Sequence, residues 1–137
     1  MKDLWNVIQL IFTVIGGWIG YFFGEGDGLI KALIVFVICD YITGVMCATI
    51  DKKLSSEVGY KGIYKKVLIF MLIGIAHTLD VYAIGNGNIL KNAVVFFYLS
   101  NEGISIIENA THLGLPVPEK MKNVLEELHG RSDDKGE

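Results

Sequence analysis

Four apolar stretches, each close to the ~20 residues a helix needs to cross a bilayer core, set what this chain can fold into. They run from Leu4 to Phe23, Leu29 to Ile50, Val67 to Ile84 and Ile89 to Ala110. A segment in lipid finds no water for its backbone, so each must be helical. A water-soluble bundle shows polar faces at helical spacing, and the first two stretches show almost none. The chain has 137 residues, is 52% hydrophobic and has a mean hydropathy of +0.46, which leaves no room for a soluble domain of ordinary composition. The expected fold is an all-α integral membrane protein with four transmembrane helices. The first stretch is longer than the core of a signal peptide and no A-x-A-like site follows it, so it is expected to remain as a span.

The lysines orient these spans. Residues 51–66 carry Lys52, Lys53, Lys61, Lys65 and Lys66, whereas the turn at 24–28 carries Glu25 and Asp27 and the turn at 85–88 carries no charge. The positive-inside rule makes 51–66 a cytoplasmic loop and both termini cytoplasmic. Of the twelve basic residues, only Lys31 and Lys91 then lie towards the outer surface, where both can snorkel. The four-span domain occupies residues 1–110, with spans 4–23, 29–50, 67–84 and 89–110.

Residues 111–130 form a cytoplasmic break and a short amphipathic helix. Gly114 suits the positive φ of a helix C-cap, and Pro116 and Pro118 stop continuation. Over Glu119 to Leu128, the side chains of Met121, Val124, Leu125 and Leu128 share a face with Val117. Such a short helix is marginal alone, so it leans on the membrane surface or on another copy. Gly130 is expected to end it, leaving 131–137 as a disordered tail.

Several function classes are excluded. A net charge of −3 and the lack of a basic groove motif argue against nucleic acid as a partner. Cys39 and Cys47 are roughly 12 Å apart on one helix, too far for a disulfide. His112 and His129 form no ligand pair of metal spacing. Ser55 and Ser56 lack a nucleophile-elbow context. No enzyme activity, cofactor or metal is expected.

The polar residues within the spans are the informative ones. Asp40, Asp80, Glu102 and Glu108 lie there, and an acid at mid-bilayer costs ~3 kcal/mol on insertion scales. Tyr98, Asn101, Ser105 and Glu108 recur at three- and four-residue steps, with Glu102 beside them. His77 and Asp80 are three apart, so they occupy adjacent turns of one face, as a hydrogen-bonded pair, a proton relay or a metal half-site. Asp40 shares a face with Thr43, Gly44 and Cys47. Two fates remain open for these groups. They pair within one chain, with His77, Lys31 or Lys91 as partners, or they form a polar helix–helix face that lines a path or an oligomer. Gly16, Gly20 and Gly24 give two linked G-x-x-x-G repeats, a helix-packing surface in lipid that Gly44 continues weakly in the second span.

These residues resemble the small holins of phage lysis and toxin secretion in Gram-positive bacteria and their phages. The matching stretches are Gly16–Tyr21, Asp40-Tyr41-Ile42-Thr43-Gly44, Lys53–Ser56 with Gly59–Ile63, Ala76–Asp80, Asn101–Asn109 and Leu113–Lys120. The resemblance implies a multi-pass protein of the bacterial cytoplasmic membrane whose partners are the lipid bilayer and other copies of itself. It implies assembly into lesions that collapse the proton-motive force and release an endolysin or a toxin. Small size and short loops agree with that. A small ion channel or transporter, or an antiholin-type regulator, is the alternative that the same intramembrane acids allow.

Overall fold

In a computed structural model, which describes residues 1–23, 28–85 and 87–134, the described residues form helices joined by short connections. Helix α1 spans Lys2–Phe23, α2 Gly28–Ile50, α3 Ser56–Leu79, α4 Ile89–His112 and α5 Glu119–Asp134. A π-helical turn, Asp80–Ile84, continues α3. It closes with the Gly85 amide donating to the Asp80 carbonyl at 2.8 Å, and Gly85 takes a φ of 75°, where a side chain would be strained.

The core lies among α2, α3 and α4. Ile30, Leu33 and Val37 of α2 meet Ile69 and Ile73 of α3 and Val95 and Leu99 of α4. In each helix these positions recur at three- and four-residue steps, which puts them on one face. The other faces of α2 and α3 are also apolar but exposed, as at Val35, Ile38, Ile42, Leu68, Met71 and Ile75. A water-soluble monomer rarely shows so extensive an apolar surface, whereas lipid favours it. Helices α1, α2 and α3 are each long and apolar enough to cross a membrane. Helix α4 has the length, 24 residues, but carries Lys91, Glu102 and Glu108.

Helix α1 stands apart. Among its described side chains only Ile8 is even partly covered, and among the described helices α1 packs on α3. The Tyr21 and Tyr82 hydroxyls, 2.7 Å apart, tie its far end to the π turn.

Two boundaries differ from those read in the sequence. Helix α3 begins at Ser56, so the connection from α2 is only residues 51–55 and most of the expected 51–66 loop is helix. Ser55 is the N-cap, its hydroxyl accepting from the Val58 amide at 3.2 Å. Hydropathy marks where a helix becomes apolar, not where its backbone starts. At the other end, α5 does not stop at Gly130 but continues to Asp134, through part of the expected tail; residues 135–137 lie outside the described residues.

Helix α5 folds back along α4. The turn between them is a Schellman motif: the Leu115 amide donates to Ala110, the Gly114 amide to Thr111, and Gly114 has a φ of 91°. Leu125 is then buried against Gly103 and Phe36, and the ring of His129 lies 6.1 Å from that of Phe97. The amphipathic helix thus has an intramolecular seat.

Candidate functional site: a charge cluster shared by three helices

Asp40 of α2, Lys66 of α3 and Glu102 of α4 converge in the helix bundle. The Lys66 ammonium donates to both carboxylates, and the three side chains are only 12%, 17% and 9% exposed, respectively. Each lies ten residues from the end of its helix nearest the 51–55 connection and the α4–α5 turn, about 15 Å at 1.5 Å per residue. The level is therefore the middle of a bilayer-sized helix, and Lys66 belongs to the bundle rather than to a solvated loop. Asn109 completes the arrangement. Its side-chain amide donates to Asp40 Oδ1 at 3.3 Å and to Thr43 Oγ1 at 2.9 Å. One cation serves two anions, so with all three ionised the cluster carries one negative charge. Removing either sign alone would leave an uncompensated charge in a low-dielectric place.

The backbone makes this convergence fit. Tyr41, next to Asp40, lies on the glycine face of α3: its hydroxyl donates to the Gly59 carbonyl at 3.4 Å, and a Cβ at Gly62 would stand 3.1 Å from its ring. Gly44 faces Asn109, which a Cβ there would meet at 3.9 Å.

Asp80 has a different task. It is fully buried, and its two carboxylate oxygens accept the Leu90 and Lys91 amides at 3.0 and 2.8 Å. It therefore caps the N-terminus of α4, where a negative charge also suits the helix dipole. The N-cap residue itself, Asn88, makes no such side-chain bond. The expected His77–Asp80 pair does not form, because the α4 amides take Asp80; the buried His77 Nδ1 has no hydrogen-bond partner among the described residues.

The remaining expected site residues are dispersed. Asn101 and Ser105 are half-buried and Glu108 is exposed, so the Tyr98–Glu108 stripe flanks the packed face of α4. Lys66 serves Asp40 and Glu102, and backbone amides serve Asp80. Lys66 was the residue missed, and the spacing Lys66–Ile69–Ile73–Ala76–Asp80 marks it as part of the inner face of α3. Cβ atoms at Gly16 and Gly20 would meet nothing within 4 Å, and Gly24 lies outside the described residues. Among the described residues, no group of three or more His, Cys, Asp or Glu side chains is placed to hold a metal ion.

A family model, the bacteriophage holin family, matches residues 17–130, which include the charge cluster, the Asp80 cap and the α4–α5 hairpin. This chain belongs to the bacteriophage holin family. Among its relatives, a protein of Bacillus phage phi105 described as a probable holin is 36% identical over 117 residues, covering 85% of each chain. An uncharacterized protein of Listeria innocua is 44% identical over 131 residues, 96% of this chain and 93% of the relative. An uncharacterized 14.9 kDa protein encoded 3′ of nagH in Clostridium perfringens is 37% identical over 132 residues, 96% and 99% of the two chains. No solved structure matches the chain.

Proposed function

We propose that this protein acts as a holin. It inserts in the bacterial cytoplasmic membrane with α1 to α4 as four spans and both termini in the cytoplasm. Copies associate there into lesions that dissipate the proton-motive force and let an endolysin or a toxin leave the cell. The observation that carries this reading is membership of the holin family over nearly the whole chain, including the helices that hold the charge cluster.

Two features bear on self-association. Helix α1 offers an almost uncovered apolar cylinder, with Gly16 and Gly20 open to a neighbour, and small residues are what allow close helix contact in lipid. Within one protomer the Lys66 ammonium already serves both Asp40 and Glu102, so a single copy holds this cluster together before assembly. Asn101, Ser105 and Glu108 are the polar groups of the expected face that remain for contact with other copies.

The test is expression in a bacterium together with a cytoplasmic cell-wall hydrolase. Abrupt loss of membrane potential followed by appearance of the hydrolase outside is the expected result. Ion-selective conductance without passage of a protein would replace the holin reading by that of a small channel.

A further inference from the structure

The seat of α5 conflicts with a flat, surface-lying helix. From His112 to Gly103, where Leu125 docks, is about 13 Å along α4, and to Ser100, which Oγ to Nδ1 lies 3.4 Å from His129, about 18 Å. The hairpin is antiparallel, so α5 climbs beside α4 to about half the height of a bilayer core. Yet α5 is charged. Glu119, Lys122, Asn123 and Glu126 are exposed and lie within one arc of the helix. Several charges on one face towards lipid would cost far more than Leu125 and its neighbours return. The contact itself is specific: a Cβ at Gly103 would lie 2.7 Å from a Leu125 methyl and 3.1 Å from the Phe36 ring. Three of the four intramembrane acids, Asp40, Glu102 and Asp80, are committed within the bundle, and the fourth, Glu108, lies within the last turns of α4, so they cannot supply a wet face in its place.

We propose that α5 stays docked on α4 at bilayer depth, and that its Glu119–Lys122–Glu126 face is the water-facing wall of the assembled lesion. This rests on the reading of α4 as a membrane span within a holin. Water then reaches α5 from the side of the α4–α5 turn, and neighbouring copies screen the charged face from lipid. The lesion is thereby lined by a charged helix, with the Asp40–Lys66–Glu102 cluster behind it as scaffold.

Cysteine chemistry on the full chain in bacterial membranes tests this, in a Cys39→Ser, Cys47→Ser background. Asn88→Cys reports whether α4 crosses, and before the loss of membrane potential, while no lesion admits the reagent, should react only from outside. Ser100→Cys with His129→Cys should join through a short thiol crosslinker within one chain. Glu126→Cys should react with a membrane-impermeant maleimide in inside-out vesicles as readily as Lys53→Cys, and Val35→Cys, on the apolar face of α2, at least about tenfold more slowly. Absent crosslinking, α5 has left α4; crosslinking without Glu126→Cys labelling means a dry face. Either result, or reaction of Asn88→Cys from the cytoplasmic side before the loss of membrane potential, overturns the assignment. Hydrolase release by the wild-type chain is scored separately. Release without the labelling pattern removes only the role of α5, and the labelling pattern without release removes only the holin reading.

Discussion

Tyr41 of α2 lies so close to Gly62 of α3 that a Cβ at Gly62 would come within 3.1 Å of its ring. The contact sits one residue from Asp40, so it sets how near α2 and α3 approach where Lys66 must reach across. Between helices surrounded by lipid, close packing rather than water exclusion supplies the attraction. Small changes at this point should therefore act on the charge cluster.

Replacing Gly62 by Val overpacks the contact. The expected cost is about 1–3 kcal/mol, read as a lower SDS midpoint in detergent unfolding followed by circular dichroism. Tyr41→Ala in the same chain should restore part of the loss by making room. A Gly62→Val chain as stable as wild type would show that α2 and α3 do not rely on this approach.

Asp80 should behave as a cap and not as a proton carrier. Asp80→Ala removes both acceptors for the Leu90 and Lys91 amides, at about 1–2 kcal/mol by analogy with N-caps. Amide hydrogen exchange at Leu90 and Lys91 should quicken, with the middle of α4 little changed. Asp80→Asn keeps one acceptor oxygen and should lie between. Equal exchange in all three chains would remove the capping role.

Leu125→Ala should free α5 selectively. Truncating a buried leucine costs about 2–5 kcal/mol in a core that cannot relax, and the lower end is expected at this edge of the bundle. Limited proteolysis should cut residues 119–134 sooner, while the α2–α4 body keeps its unfolding midpoint. Loss of the whole body together with α5 would mean that the hairpin is integral to the fold.

The helices were legible because their cause is local. Lipid demands ~20 apolar residues per span, and Gly114 with two prolines announces the α4–α5 turn. The seat of α5 was not legible, since the pairing of Leu125 with Gly103 depends on two helices meeting and leaves only an amphipathic pattern behind. The cluster lay between these cases. Asp40 and Glu102 stand out as acids in apolar surroundings, but Lys66 is hidden by Lys65 and the polar residues before it, which read as a loop. Once α3 is known to start at Ser56, Lys66 falls in step with Ile69 and Ile73, and its inward direction follows from helical spacing alone.

Lys66 gives the sharpest energetic test. Lys66→Met leaves Asp40 and Glu102 close together without their cation, and breaking a buried pair in this way costs about 3–5 kcal/mol. Lys65→Met, one residue away and exposed, should stay within about 0.5 kcal/mol of wild type. If charge balance is the reason, adding Asp40→Asn and Glu102→Gln to Lys66→Met should recover most of the stability, because neutral groups of the same shape need no counter-ion. Both comparisons use the same SDS unfolding midpoint. Equal losses for Lys65→Met and Lys66→Met, or a triple variant no better than the single one, would contradict a cluster that depends on its Lys66 counter-ion. A triple variant that folds but no longer releases the hydrolase would separate the two duties, showing that the charges serve assembly beyond their part in holding α2, α3 and α4 together.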